Sequence, residues 1–383
     1  MCYINSLLIN DVSHYLGLIK IYKYIEMRKK CFLLLMIVTF LINCSKPIKN
    51  NSIIISPKLK GEIIQLSTFI SEINLIPLET TADCLIAEVG KVLISEQKIY
   101  VLDRSTSSIF IFDRWGKFLT KIQDVGHGSE EYIHLIDFDV INDEIFLLDY
   151  TGKKIIHYDQ QYKFIQATSL SFYASQFGIM DKSFIFKCEP MNNSGDPYFI
   201  LTSKEGEVIK TIDQLSATGK YNWGEVSFFT RNQTDIMISK LYDNSIFQVK
   251  NNKINEYIQL DFGLYNVPVN TNFNDINIFS QDFKYAVKNN YWIVGEWLIM
   301  DYFFNLKRYY LRFHLASKNV ISGKIENDLN DIPFFPKWSF SHGLIGFLNS
   351  YEINEFKFDR LCWPELDNVK VSDNPILVTY SIN

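Results

Sequence analysis

The 383-residue sequence has little alanine, with only seven residues of this type, and few residues that break secondary structure, with 10 prolines and 17 glycines. Because alanine is the best helix former, this scarcity argues against a mainly helical protein. The apolar residues are those that fit strands, including 30 phenylalanines and 22 tyrosines. Basic residues number 38 against 43 acidic ones, which disfavours nucleic acid as a partner, because phosphate binding needs a concentrated basic face.

Cysteine motifs and catalytic motifs are also missing. No C-x-x-C pair occurs, so a zinc ribbon or a redox pair is unsupported. Cys84, Cys188 and Cys362 lie far apart, and three buried thiols are favoured over one disulfide. The sequence has no G-x-S-x-G, H-E-x-x-H, P-loop or EF-hand spacing, and its six histidines show no metal-ligand spacing. The sequence therefore assigns no catalytic residue and no metal ligand by motif.

A basic cluster and an apolar run mark the N-terminus as a leader. Arg28-Lys-Lys30 is followed by the apolar run 31–42, an order typical of a secretory signal. The run is shorter than the roughly 20 residues that cross a bilayer as a helix. Leu41-Ile-Asn-Cys44 resembles the lipobox of bacterial lipoproteins, with Asn43 where Gly, Ala or Ser is usual. Cys44 is then the lipid attachment site; the alternative is an ordinary signal peptide or an uncleaved anchor in which Cys44 is incidental.

The leader divides the chain into four segments. Residues 1–26 are predicted to be an artefactual extension, because Met27 directly precedes the basic cluster, and residues 27–43 to be a signal peptide with its lipobox. Residues 44–71 are predicted to be the lipidated Cys44 and a tether, in which Ile53-Ile-Ile55 is a candidate first strand. Residues 72–383 are predicted to be the folded body.

A repeat of 46 residues lies in the folded body. Ile99-Tyr-Val-Leu-Asp103 recurs as Ile145-Phe-Leu-Leu-Asp149, and Ile109-Phe-Ile-Phe-Asp113 recurs as Ile155-Ile-His-Tyr-Asp159, each at an offset of 46. Every unit contains four short apolar runs separated by polar turns. Four strands per unit of about 40–50 residues are typical of a β-propeller blade.

The sequence therefore predicts an all-β fold, a six-bladed β-propeller of four-stranded antiparallel blades. Six blades would hold 52 residues each between residues 72 and 383, and seven blades of about 45 residues are the alternative. Six are favoured because the C-terminal half carries longer insertions, around 265–285 and 327–345. The last sheet is expected to be completed by the segment 73–79 or by the strand at 375–380. Two unrelated β-sandwich domains are the competing arrangement.

A family resemblance rests on the repeated strands and on five further segments: Leu78-Glu-Thr-Thr81, Gly126-His-Gly-Ser-Glu-Glu-Tyr132, Leu241-Tyr-Asp-Asn-Ser-Ile-Phe247, Tyr257-Ile-Gln-Leu-Asp-Phe-Gly263 and Pro375-Ile-Leu-Val378. Together they resemble the six-bladed β-propeller lipoproteins of Bacteroides-type bacteria, which are similar to NHL-repeat propellers. The resemblance covers about residues 72–383. It implies no catalytic set, and it departs from the family where many members have Gly-Pro-Gly-Glu-Tyr and this chain has Gly128-Ser-Glu-Glu-Tyr132.

Two aspartates, Asp103 and Asp149, occupy equivalent strand ends in neighbouring repeats. Because equivalent positions in a ring converge on one face or channel, these carboxylates are candidates to hold a calcium ion or a substrate cation. The favoured interpretation is that each aspartate hydrogen-bonds the backbone of its own turn. No cofactor other than this calcium ion is implied.

Three tryptophans sit among polar or proline-containing segments, namely Trp223, Trp338 and Trp363. Rings exposed on loops would stack on the apolar face of a sugar. Rings that wedge neighbouring blades together are the more frequent case and are favoured for these three.

The favoured function is a lipid-anchored envelope propeller that acts as a binding or scaffold module for a glycan, a peptide or an envelope protein. A propeller presents loops from several blades on one face, which suits recognition. The alternative is a lyase or hydrolase with its active site at the channel mouth; catalysis is left open and is not favoured. Nucleic acid is not an expected partner, and the membrane is contacted through the lipid anchor only. Because Ser45-Lys-Pro-Ile-Lys49 is basic whereas surface-exported relatives usually carry acidic residues there, the periplasmic side is favoured over the cell surface.

Overall fold

The computed structural model describes residues 53–57, 62–188, 197–212, 229–232, 235–240, 243–268, 271, 280, 283–356 and 363–383. Within these ranges the regular structure is almost entirely β-strand. Short 3-10 helices lie at Leu66–Thr68, Gly263–Tyr265, Glu352–Glu355 and Pro364–Asn368. Cys44, Cys362, Trp223 and the predicted leader lie outside the described residues.

Three strands precede the first blade: β1 (Ile53–Ile55), β2 (Ile63–Gln65) and β3 (Ile70–Pro77). Blade 1 contains β4 (Val89–Ile94), β5 (Lys98–Asp103), β6 (Ser108–Asp113) and β7 (Phe118–Ile122). Blade 2 contains β8 (Leu135–Ile141), β9 (Glu144–Asp149), β10 (Lys154–Tyr158) and β11 (Phe164–Ser169). Blade 3 contains β12 (Ala174–Ile179), β13 (Ser183–Cys188), β14 (Phe199–Ser203) and β15 (Val208–Ile212).

The second half of the ring is built in the same way. Blade 4 contains β16 (Phe229–Asn232), β17 (Asp235–Ser239), β18 (Ser245–Lys250) and β19 (Lys253–Leu260). Blade 5 contains β20 (Val287–Val294), β21 (Trp297–Phe304), β22 (Lys307–His314) and β23 (Val320–Glu326). Blade 6 contains β24 (Trp338–Phe340), β25 (Gly343–Leu348) and β26 (Ile376–Ile382), with β3 as its fourth strand.

These six sheets confirm the predicted six-bladed propeller and the meaning of the repeat. The strands at an offset of 46 residues, β5 with β9 and β6 with β10, hold the same positions in blades 1 and 2. The first strand of each blade lies nearest the axis. Contacts between neighbouring inner strands join β4 to β8, β8 to β12, β16 to β20, β20 to β24 and β24 to β4.

The ring is closed by the N-terminal part of the propeller. Strand β3 pairs antiparallel with β26, and Leu75 lies opposite Val378, as expected for the segment 73–79. Upstream of it, β1 adds parallel to the outer edge of blade 4 through β19, and β2 adds parallel to the outer edge of blade 5 through β23. Ile55 and Ile64 are buried there, so the sheets begin upstream of residue 72, where the folded body was predicted to start.

The core consists of layers between neighbouring blades. Each of six apolar clusters fills the space between two adjacent blades, for example Tyr100 of blade 1 with Leu147 of blade 2. Both faces of a central strand are therefore covered, which explains why β5, β9 and β13 are buried along nearly their whole length. Cys84 is a buried free thiol, and Cys188 is buried as well. No helix among the described residues is long and apolar enough to cross a membrane.

Candidate functional site in the central channel

A cavity of about 780 Å³ lies inside the ring and is lined by the inner strands of all six blades. It extends to turns that follow inner strands, where Ser95, Asp143, Gly295 and Ser341 border it. Aromatic side chains form part of its wall. They are Tyr100, Phe177, Phe229, Trp292, Trp338 and Phe340. A cavity of this size lies within the range of about 300–1,000 Å³ that small-ligand sites occupy.

Charged side chains in the channel wall form hydrogen bonds from one blade to the next. Lys91 of β4 donates to Asp137 Oδ1 of β8 at 2.8 Å, and the backbone N–H of Phe177 in β12 donates to Asp137 Oδ2 at 2.9 Å. Two residues further along β8, Asp139 Oδ2 accepts from Ile179 N at 3.1 Å and from Arg231 Nη2 at 2.6 Å. The two carboxylates thus connect the inner strands of blades 1, 2, 3 and 4.

The repeat explains why Lys91 and Asp137 meet. The two residues are separated by 46 positions, so they occupy the same place on adjacent inner strands. In both strands the pairing with the next strand is irregular immediately before this residue, and such an irregularity re-aims a side chain. Two oppositely charged residues at equivalent positions of neighbouring inner strands can therefore form an ion pair across the boundary between their blades.

Burial dominates the protonation of this pair. Asp137 is buried, which raises the pKa of its carboxyl above the ordinary value of 3.8, although the Lys91 ammonium and the Phe177 N–H act in the opposite direction. Tyr100 of β5 donates to Asp143 Oδ1 in the β8–β9 turn at 2.8 Å, and burial raises the pKa of its hydroxyl. These polar groups of the channel wall are therefore bonded to one another.

The Asp137→Asn variant is expected to gain stability relative to the wild-type protein as the pH rises from 3 to 8. A raised pKa in the folded state means that ionising Asp137 costs folding free energy, and this cost appears only above pH 3.8 and grows up to the raised pKa. Urea unfolding of both proteins across this pH range measures the difference.

Asp261→Asn is the control, because its stability relative to wild type should change with pH in the opposite direction. The Gly263 N–H and the Asn266 amide lower the pKa of the Asp261 carboxyl below 3.8, so this variant should lose stability relative to wild type as the pH rises toward 4. An Asp137→Asn difference that stayed constant from pH 3 to pH 8 would contradict the assignment of the cost to this carboxyl.

Asp103 and Asp149, the candidates from the sequence, are not part of the channel wall. Both side chains are fully buried at the ends of β5 and β9. Asp103 accepts backbone N–H groups of Ala87 at 2.9 Å and of Ser105 at 2.9 Å, which ties the hairpin turn to the loop that enters β4. Asp149 accepts from Ile133, His134 and Gly152, each at 3.0 Å, and ties the same two parts of blade 2.

The structure therefore shows a backbone-fixing contact for both aspartates, and the calcium or substrate-cation role stays a prediction. Among the described residues, no group of three His, Cys, Asp or Glu side chains is arranged to hold a metal ion.

Of the tryptophans singled out from the sequence, Trp338 lines the channel. Its indole stacks on Phe347 with ring centres 6.2 Å apart and stands beside the channel residues Ser339 and Phe340. Trp363 packs instead against the cluster between blades 5 and 6. The charged residues Lys91, Asp137 and Asp139 were not identified from the sequence, although each is a charged residue inside an otherwise apolar strand, and that is the signal that marks them.

The fold and the site together define a class: a six-bladed β-propeller with a ligand-sized channel along its axis. The chain belongs to the family described as domain of unknown function 4934, whose model matches residues 52–381. No curated protein was found to match the sequence.

Two solved structures are similar in fold. A Bacteroides fragilis protein described as exported is 19% identical, with a TM-score of 0.68 over 87% of this chain and 99% of that one. A member of the duf4221 family from Bacteroides vulgatus is 12% identical, with a TM-score of 0.52 over 82% of this chain and 97% of that one. At these identities the similarity establishes the propeller fold and its Bacteroides relatives, in agreement with the family resemblance of the sequence.

Proposed function

We propose that this propeller is an exported envelope protein that binds a short segment of a glycan or a peptide in its central channel. The observation that carries the proposal is the cavity of about 780 Å³, which all six blades line. Sites for small ligands combine apolar and aromatic walls with a few oriented polar groups. The channel has both, in Trp338 and Phe340 and in the bonded pairs of Lys91 with Asp137 and Arg231 with Asp139.

Preorganisation favours binding over a purely structural role for this channel. The Arg231 guanidinium is held twice, at Asp139 Oδ2 and at the Ile179 carbonyl oxygen, 2.9 Å from Nη1. A ligand that enters therefore meets donors and acceptors whose orientation is already set, which reduces the entropy cost of binding.

Export and lipidation complete the proposal. The similar Bacteroides fragilis protein is described as exported, and the predicted signal and Cys44 would place this chain in the cell envelope on a lipid anchor. We favour the periplasmic side of the membrane, since Lys46 and Lys49 follow Cys44 directly.

The competing hypothesis is a lyase or hydrolase that works at the same channel. Asp137 supports it in one respect, because burial raises the pKa of its carboxyl, as a general acid requires. Both oxygens of Asp137 are, however, already bonded, one to Lys91 and one to the Phe177 N–H. A carboxyl that joins three blades in this way suits a fixed wall better than a group that transfers protons to a substrate.

A panel of oligosaccharides of two to six sugars and of tripeptides to pentapeptides is expected to contain a compound that stabilises the protein. At a hundred times its Kd a ligand adds about 2.7 kcal/mol, which raises the Tm by about 5 °C for a domain of this size. Trp338→Ala is expected to weaken binding of that compound about tenfold, because it removes an aromatic wall. Differential scanning calorimetry and titration calorimetry measure the two effects.

Tyr351→Ala is the matched control, since Tyr351 is an exposed aromatic residue outside the channel. It should bind the same compound as wild type does. Equal binding by wild type and by Trp338→Ala would place the ligand elsewhere. Turnover of the bound compound by wild type, lost in Asp137→Asn, would favour the enzyme.

A further inference from the structure

A second cleft lies on the outside of the ring, at the seam where β3 closes the propeller. Its volume is about 470 Å³, and it is formed by the residues after β3, the turn between β6 and β7, and the segment before β26. Trp115, at the tip of the β6–β7 turn, borders it and is 73% exposed. An indole this exposed contributes little to the core, and its ring is accessible to a ligand at the edge of the cleft.

The repeat shows that the turn does not need a tryptophan. The turns between the third and fourth strands of blades 1, 2 and 3 have the same hydrogen bonds. In each turn, the backbone N–H of the first residue donates to the carbonyl oxygen of the fifth, and the carbonyl oxygen of the first accepts from the N–H of the fourth. The three turns are Asp113–Lys117, Asp159–Lys163 and Ser203–Glu207. The third residue is Trp115 in blade 1, and it is the exposed Gln161 in blade 2 and the exposed Glu205 in blade 3. The indole is therefore an addition to a turn that forms equally well with a polar residue.

Hydrogen bonds and close packing fix the backbone of the turn that carries Trp115. Asp113 Oδ1 accepts the N–H groups of Trp115 and Lys117, both at 2.9 Å. Gly116 has a φ of +87° and packs so closely on Pro77 that a Cβ there would collide with the Pro77 carbonyl oxygen. The Gly116 carbonyl also accepts from Glu79 N at 2.8 Å, so the turn is fastened to the chain that follows β3. The Arg114 guanidinium, 5.3 Å from the indole centre, helps to orient the ring.

The remaining lining is polar and balanced in charge. It includes Glu79, Thr80, Lys117, Asn368, Lys370 and Asp373, that is, two carboxylates, two ammonium groups, a hydroxyl and an amide. Backbone N–H groups fix both carboxylates, since Phe118 donates to Glu79 at 2.8 Å and Lys370 donates to Asp373 at 2.8 Å. A ligand of one charge sign would meet as many like charges as opposite ones here, whereas sugar hydroxyls can donate to the carboxylates and accept from the ammonium groups.

We propose that this seam cleft binds a neutral glycan, with one sugar ring stacked on the Trp115 indole and its hydroxyls bonded to the polar lining. The C–H face of a pyranose matches a flat aromatic ring, and an indole has only two side-chain torsions to fix when it stacks. The cleft is a second site, separate from the channel, and it exists only in the closed ring because β3 builds one of its walls.

Affinity gel electrophoresis with amylopectin, xyloglucan, galactomannan and laminarin tests the proposal on the full-length protein. At least one of these neutral polysaccharides is expected to retard the wild-type protein. Trp115→Gln should weaken that retention about tenfold, Trp115→Phe should restore part of it, and Gln161→Ala, at the equivalent turn of blade 2, should leave it unchanged. Trp115→Gln reproduces the residue of that turn, and an unchanged Tm verifies that it folds. Retardation by none of the four polysaccharides, equal retardation of Trp115→Gln and wild type, or a loss caused instead by Trp338→Ala would overturn the assignment.

Discussion

Replacing Asp149 by alanine is expected to lower the free energy of unfolding by about 3 kcal/mol, a substantial fraction of the roughly 5–15 kcal/mol by which native domains are stable. The carboxylate is fully buried and accepts the N–H groups of Ile133, His134 and Gly152. Alanine would leave three partly buried backbone donors without their acceptor, and each such donor costs about 1–3 kcal/mol unless water reaches it. Equilibrium unfolding in guanidinium chloride measures the change.

Asp159→Ala is the matched control, because Asp159 also accepts two backbone N–H groups, at Gln161 and Lys163, but in an exposed turn of the same blade. This variant should lower the free energy of unfolding by only about 1 kcal/mol. Equal losses for the two variants would show that burial of the Asp149 contacts contributes nothing. The same titration with calcium tests the cation prediction: calcium that stabilises wild type but not Asp149→Ala would support it.

Replacing Lys288 by methionine is expected to stabilise the protein at pH 7 by about 3 kcal/mol, and this gain should disappear above pH 10.5. Lys288 lies buried in β20, and burial lowers the pKa of its ammonium from 10.5 to about 8. A lowered pKa means that the folded protein is penalised for holding the charge. The wild-type protein therefore recovers stability relative to the variant as the pH rises from about 8 to 10.5.

Methionine suits this site because it matches the length of the lysine stem and leaves few groups unbonded. Lys288 Nζ donates to Ser239 Oγ at 2.5 Å, and that hydroxyl keeps a bond to the Ser245 carbonyl oxygen at 3.1 Å. Lys250→Met, at an exposed lysine paired with Asp235, serves as control and should change stability by less than about 0.5 kcal/mol. Urea unfolding at pH 7, 9 and 10.5 decides the matter, and a gain that did not fall with pH would refute the buried-charge explanation.

The architecture can be predicted from the sequence because every blade of a propeller repeats the same four-stranded pattern. Ile99–Asp103 and Ile145–Asp149 lie in equivalent strands, and the spacing follows from the need of each blade to cover the faces of its neighbours. The sequence left two candidates for closing the ring, the segment 73–79 and the strand at 375–380, and the structure shows that they are partners in one sheet, as β3 and β26. The pairing of β2 with β23 was not foreseen, since three residues that extend an outer edge leave no periodic pattern.

The candidate sites were harder to predict. Which residues face one another across a channel depends on the ring geometry, so Arg231 could not be paired with Asp139, 92 residues away, from the sequence. Asp103 and Asp149 were candidates because they occupy equivalent positions in neighbouring repeats. The structure shows that both accept backbone N–H groups from the loop that enters their blade. Trp115 was overlooked because it lies in a regular turn, and its significance emerges only when that turn is compared with the turn at Gln161.

The seam of the ring determines when the propeller can close as the chain folds. Strand β3 is among the first parts of the propeller to be translated, and β26 is the last, with Ser71 and Ser381, 310 residues apart, in direct contact. Blade 6 therefore cannot assemble until strands from the two ends of the propeller sequence have met, and pairings so distant in sequence form slowly. A ring with this topology stays open during folding until its first and last strands pair, so closure of blade 6 is expected to be a late step.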